Sequence, residues 1–194
     1  GAPLEFVGMG GGLGIPYHHT GEDQENPPSP KDYGEALKGI LGPLNLKAVF
    51  EPGRVLVGNA GILLTKVVRV KEGSLRKFAL VDAGMNDLIR PALYQAHHDI
   101  ELVRATDDAP EVIDVVGPVC ESADTFADQR ALPPLTPGDL LAIRSAGAYG
   151  MVMASSYNGR PLPAEVLCDG DKAHLIRKRD DLEDLWRGEF RLQS

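Results

Sequence analysis

The sequence predicts a mixed architecture, an α/β unit at the N-terminal end followed by an all-β domain. Three observations predict it. A glycine-rich turn, 8-GMGGGLGIPY-17, follows the short apolar run 4-LEFVGMG-10. An amphipathic segment with helix-start residues separates that run from a second one, 46-LKAVFEPGR-54. Beyond residue 55 the chain changes to short apolar runs divided by turn residues, the pattern of an antiparallel β-domain.

The first run reads as a strand leading into the glycines. The segment 21-GEDQENPPSP-30 is polar and proline-rich, hence a loop. A helix follows over 29-SPKDYGEALKGIL-41: Ser29 can cap it, Pro30 suits its first turn, and Ala36, Leu37, Ile40 and Leu41 share one face. The second run is a strand ending in a turn, which completes a β/α unit of parallel type. After that, 55–73, 75–84, 101–106, 112–120, 139–147 and 164–179 read as strands, with turns at Glu72-Gly73 and Pro137-Gly138-Asp139. The tail 180-DDLEDLWRGEF-190 reads as a short helix. The change of style divides the chain into 1–55 and 56–194.

Composition bounds the function. Over 194 residues, 43% hydrophobic and 25% charged, a sizeable core is within reach. A net charge of -8 argues against a nucleic-acid surface, which needs clustered Lys and Arg. No apolar run spans a bilayer, and GAPLEF lacks the basic-then-apolar pattern of a secretion signal. Two cysteines, Cys120 and Cys168, are too few for a disulfide framework, so the expected setting is cytoplasmic and reducing. The adjacent pairs His18-His19 and His97-His98, with His174 alone, make poor chelates, because neighbours in a strand point to opposite faces; no metal is expected.

The glycine turn fails two phosphate motifs. From Gly8 and Gly10, the last position of G-x-G-x-x-G falls on Leu13, and no Gly-Lys-Ser/Thr ends the loop. Bare backbone N–H groups can still converge on a phosphate, because glycine leaves donors and little bulk. The turn 51-EPGR-54 ends the next parallel strand. Consecutive strand ends in a parallel barrel are neighbours, so both turns can border one anion.

The series GGGLGIPY, EPGR, 82-DAGMNDLIRPALY-94, 117-GPVCESAD-124 and 147-GAYG-150 resembles the diaminopimelate decarboxylase family, pyridoxal-phosphate enzymes of the alanine-racemase-like fold type. The motifs occur in family order over most of the chain. The resemblance implies that residues 1–55 are the last β/α units of a TIM-type barrel, beginning at about its seventh strand. Residues 56–194 would be the β-domain that carries substrate-binding and dimer-interface loops. It places the phosphate of pyridoxal 5′-phosphate on Gly10, Gly11 and Gly12, with Glu51, Pro52, Gly53, Arg54 and Tyr149 bordering the cofactor. Charge argues that Glu51 acts there through its backbone. Substrate carboxylates fall to Arg54, Arg90, Tyr94 and Tyr149, since a guanidinium makes a two-pronged match to a carboxylate. Cys120 becomes the proton donor and Glu121 the binder of the distal ammonium, reaching into the partner's site of a homodimer.

The lysine that joins the cofactor covalently in that family would lie upstream. Lys31, Lys38, Lys47, Lys66, Lys71 and Lys77 sit in helix or strand contexts instead. An isolated chain is therefore expected to be inactive, with open edges on strands 4–10 and 46–51. The stretch 151-MVMASSYNGRP-161 departs from the family pattern around Tyr157 and Asn158. Two alternatives stay open: a decarboxylase of the same fold for another basic amino acid or polyamine precursor, and a non-catalytic dimerisation or binding module.

Overall fold

The computed structural model describes residues 3–19, 24 and 26–192, so positions 21–23 and 25 of the expected proline-rich loop lie outside the described residues. Strands β1 (Phe6–Gly10) and β2 (Lys47–Phe50) pair in parallel, and helix α1 (Pro30–Leu41) connects them in sequence. Ser29 caps α1 as expected. Its hydroxyl oxygen accepts from the Asp32 N–H at 3.1 Å, and the Asp32 carboxylate accepts from the Ser29 N–H in return. The Ser29 hydroxyl, donating to the Asp32 carboxylate at 2.6 Å, and after it the Ser29 N–H hold that carboxyl below the usual carboxylate range. Of the apolar face only Leu37 is buried; Ile40 is 65% exposed, and Phe6 and Phe50 are exposed as well. Among the described residues β1 and β2 pair with no third strand.

The second region is one six-stranded sheet. It contains β3 (Leu63–Glu72), β4 (Lys77–Val81), β5 (Ile100–Leu102), β6 (Glu111–Val116), β7 (Thr125–Leu132) and β8 (Leu140–Ile143), in the order β5-β8-β3-β4-β6-β7. Long β3 serves two neighbours, β8 along its first half and β4 along its second. The edge strands β5 and β7 touch, so the sheet curls nearly closed. Its core gathers Val67, Val81, Ile113, Val115, Leu141 and Ile143, none more than 1% exposed. Full burial of each such side chain stabilises by about 1.5–3 kcal/mol.

Three expectations need correction. The sheet is mixed rather than antiparallel: β4 and β6 run parallel, because the 82–110 connection crosses over and carries α3 (Arg90–Tyr94) and β5. Strand β7 went unread because Gln129, at φ 47°, bulges it. Phe126 and Ala127 are buried in succession, which breaks the alternation that marks a strand. The strand expected from residue 55 begins at Leu63. Before it come α2 (Gly53–Val57) and a 3₁₀ turn at Gly58–Ala60, where Gly61 packs so closely on Gly147 that an added Cβ would lie 2.5 Å from the Gly147 Cα. The expected short tail helix is present as a single 3₁₀ turn, Leu182–Trp186, capped by Asp181. The expected turns do close: Gly73 N–H donates to the Arg76 carbonyl, and Asp139 N–H to that of Thr136. The 164–179 run is a hairpin of β9 (Glu165–Asp169) and β10 (Lys172–Arg177), turned by left-handed Gly170.

Candidate active site

The two glycine turns meet. Gly10 and Gly12 have φ of +64° and +92°, conformations that L side chains rarely adopt. A Cβ on Gly11 would stand 2.6 Å from the Glu51 carbonyl oxygen. The Glu51 N–H donates to the Gly10 carbonyl at 2.7 Å, and the Gly53 N–H to the Glu51 carbonyl at 2.9 Å. The Glu51 and Gly53 amides are thus spent on holding the turn shut, Pro52 has none to give, and the Arg54 N–H lies in the first turn of α2. By contrast, among the described residues the N–H groups of Gly11 and Gly12 donate to no backbone carbonyl. The glycine loop thus carries open donors next to the EPGR turn, which brings in the Arg54 side chain.

Arg54 stands 5.3 Å from the Tyr149 ring centre and 6.0 Å from that of Tyr17. Arg90, at the start of α3, lies 4.5 Å over the other ring contact of this group, Tyr17. Cations over aromatic faces gain about 0.5–2 kcal/mol. Arg90 is 7% exposed, and its Nη1 is 2.9 Å from His98 Nε2. Among the described residues neither arginine makes an ion pair. Tyr94, four residues after Arg90 on the same short helix, is 61% exposed.

The GAYG loop is fixed by the segment after EPGR. Gly147 N–H donates to the Gly58 carbonyl, and Ala146 N–H to that of Gly61. Tyr149 takes φ 58°, an unusual conformation for a bulky residue, and that backbone turns its ring toward Arg54. Buried Ser145, also left-handed, donates its hydroxyl to Asn59 Oδ1 at 2.8 Å and lies 2.9 Å from His19 Nε2.

The GPVCESAD loop is organised by a residue to which the sequence assigned no role. Buried Asp124 accepts from the N–H of Met85 at 2.7 Å and of Val119 at 2.6 Å, and its carboxylate fills the space a Gly117 side chain would need. Burial pushes the Asp124 carboxyl up, against the pull of those two bonds. Cys120 and Glu121 ride on this frame, both exposed. Among the described residues no hydrogen bond, ion pair or ring contact joins them to Arg54, Arg90 or the glycine loop. The 155–160 stretch is tied to the DAGMND turn instead: Arg160 Nε donates to Asn86 Oδ1 at 2.8 Å, and Ser155 N–H to the Asn86 carbonyl.

Histidines from different pairs come together, which reasoning about neighbours did not anticipate. His18 stacks on His97 at 3.5 Å, and His18, His97 and Asp99 place potential ligand atoms within 4.8 Å of one another. Arg130 Nη2 lies 3.1 Å from His97 Nδ1 and can only donate, so the His97 proton sits on Nε2, 2.8 Å from Asp99 Oδ1. A metal on Nε2 would drive that proton to Nδ1, against the guanidinium, so the surroundings oppose a cation. With the His19 N–H on Asp99 Oδ2 at 2.7 Å, these contacts stitch the end of the glycine loop to the sheet.

A curled mixed sheet, flanked by short helices that bring Arg54 and Arg90 to Tyr17 beside the glycine loop, defines a sheet domain, and comparison places it. The chain belongs to the pyridoxal-dependent decarboxylases: residues 19–147 match the C-terminal sheet domain of that family. It is 48% identical over 193 residues to the diaminopimelate decarboxylase of Zymomonas mobilis, covering 100% of this chain and 45% of that protein. It is 50% identical over 189 residues to that of Pseudomonas aeruginosa, covering 97% and 44%. The crystal structure of diaminopimelate decarboxylase from Helicobacter pylori complexed with L-lysine superposes with a TM-score of 0.86 at 44% identity, covering 95% of this chain and 44% of that one. The chain therefore spans less than half the length of the curated relatives it matches.

Proposed function

We propose that the whole protein decarboxylates meso-2,6-diaminopimelate to L-lysine and CO2, the last step of lysine biosynthesis, with pyridoxal 5′-phosphate as cofactor. The observation that carries this reading is the pair of guanidinium groups gathered on Tyr17, neither with a carboxylate partner among the described residues. A buried charge without a partner is costly, so a 7%-exposed arginine of this kind suits an anion that arrives with the substrate. A diacid supplies one. The names of the Zymomonas mobilis and Pseudomonas aeruginosa relatives support the same substrate.

The residues present fit a phosphate-bearing cofactor: two left-handed glycines, a third with no room for a Cβ, and uncommitted N–H donors. When bound, that cofactor supplies an electron-withdrawing ring for the pair left on Cα as the carboxylate departs. Gly10, Gly11 and Gly12 hold its phosphate, and Glu51, Pro52 and Gly53 wall the pocket. Arg54 and Tyr149 stand between cofactor and substrate. Arg90 grips a substrate carboxylate two-pronged, with Tyr94 at the open end of α3. Glu121 takes the distal ammonium. The Cys120 thiol gives its proton to Cα, replacing the lost CO2, and solvent restores it.

The exposed setting of Cys120 and Glu121, away from the arginines, supports a homodimer in which this loop completes the partner's site. The uncovered apolar residues on β1, β2 and α1 support reading 1–55 as barrel units and 56–194 as the sheet domain. Two free, exposed cysteines suit the cytoplasm. Turnover assays on the full-length protein with diaminopimelate, ornithine and arginine test the assignment. CO2 release from diaminopimelate alone is expected, and equal release from ornithine overturns it.

A further inference from the structure

We propose that His98 is a positioning residue: it holds the Arg90 guanidinium over Tyr17 without neutralising it, leaving the charge for a substrate carboxylate. The proposal deepens the functional reading above and rests on it. His98 is 0% exposed and touches both ends of the problem. Its Nε2 is 2.9 Å from Arg90 Nη1, and its Nδ1 is 2.7 Å from the Arg144 carbonyl. A guanidinium can only donate and a carbonyl can only accept. Both contacts therefore demand one tautomer, with the proton on Nδ1 and the lone pair on Nε2. The ring edge also meets Tyr17, 5.3 Å between centres at an interplanar angle of 78°.

The ring is anchored to the sheet. The His98 carbonyl accepts from Arg130 Nη1 at 3.0 Å, and the Arg144 N–H donates to the Asp99 carbonyl at 2.8 Å. Next to these, β5 and β8 pair through Ile100 and Ile143. Position thus passes from the sheet to His98, then to Arg90, then to the glycine loop through Tyr17. Burial, with the nearby charges of Arg90 and Arg130, keeps the imidazole neutral. A carboxylate at this position would fix Arg90 equally well, but would cancel the charge a substrate needs. A neutral acceptor consumes one of five N–H donors and leaves the rest of the fork.

The test uses the full-length protein with pyridoxal phosphate, in His98→Asn, His98→Gln, Arg90→Lys and the double variant His98→Asn/Arg90→Lys. Asn can still donate to the Arg144 carbonyl but no longer reaches Arg90, whereas the Gln amide oxygen can. Two readouts apply: the calorimetric Kd of pimelate, an inert dicarboxylate, and the KM and kcat for diaminopimelate. His98→Asn is expected to raise Kd and KM about tenfold or more while kcat stays within about threefold. His98→Gln is expected to recover most of that loss. In the Arg90→Lys background, His98→Asn is expected to add little, because the two residues act as one unit. Kd and KM within about twofold of wild type in His98→Asn overturn the proposal. So does an equal loss in both backgrounds, and if His98→Asn does not fold, a His98→Gln as impaired in KM as Arg90→Lys overturns it too. A wild type that neither turns over diaminopimelate nor binds pimelate overturns the functional reading, and this proposal with it.

Discussion

Gly147 sits against the carbonyl oxygen of Val57, and a methyl group on Gly147 would overlap that oxygen. The atom in the way is backbone and cannot swing aside. Gly147→Ala is therefore expected to displace the GAYG loop from α2 and the 3₁₀ turn after it. The cost is on the order of 1–3 kcal/mol in the urea unfolding free energy. The change should also lower affinity for diaminopimelate, since Tyr149 and Arg54 face each other across this contact. A variant with an unchanged urea midpoint would mean that the loop is not held here.

Gly11→Ala tests the glycine cradle in the same way. Its Cβ would come 2.6 Å from the Glu51 carbonyl, so one of the two turns must retreat. An absorbance titration with pyridoxal phosphate should report a dissociation constant raised on the order of tenfold or more, about 1.4 kcal/mol. Gly8→Ala is the control, because a Cβ there meets nothing within 4 Å. Equal losses in both variants would argue that general disturbance of the loop, rather than closure against EPGR, sets cofactor affinity.

The glycine turns, the α1 cap and Arg90 were legible in the sequence because their chemistry is local or carried by a motif. The glycine run marks backbone free to turn left-handed, as Gly10 and Gly12 do, and Ser29 marks the cap, which Asp32 completes three residues on. What escaped depends on distant partners. The tautomer of His98 is set by a carbonyl 46 residues away. Asp124 organises its loop by reaching back 39 residues to Met85. Strand β7 hid behind the bulge at Gln129, whose N–H bonds the buried Asp114 carboxylate at 2.7 Å. The Val-rich α2 read as a strand because the Gly61–Gly147 contact that shapes its exit leaves no local trace.

Asp124→Asn keeps the shape of the side chain and removes one acceptor. Both carboxylate oxygens receive backbone N–H groups, so an amide must aim its own N–H₂ at the N–H of Met85 or of Val119. An unsatisfied buried donor costs about 1–3 kcal/mol, and the frame beneath Cys120 and Glu121 should loosen. In the full-length protein kcat should fall together with the urea midpoint. Glu121→Gln is expected to change KM for diaminopimelate with the midpoint unaltered, which separates the frame from the residue it carries.

Stability should fall in mild acid, and His98 fixes the window. Burial holds its pKa down to about 4, against an ordinary 6.5. Between these values the unfolded chain binds a proton that the folded chain refuses, so unfolding gains as pH drops. The loss begins near 6.5, levels off below about 4, and amounts to about 2 kcal/mol between about pH 7 and about pH 5. His97, also lowered by burial and by Arg130, adds a contribution of the same sign. Asp87 and Asp124 act in the opposite sense: burial raises their carboxyls, so the folded protein takes up protons first and regains some stability as pH falls toward their folded values. These carboxyls ordinarily titrate near 3.8, so the histidines govern the upper part of the range. Urea midpoints at the two pH values should differ clearly in wild type and by less in His98→Gln, which cannot titrate. An unchanged difference in that variant would place the acid sensitivity elsewhere.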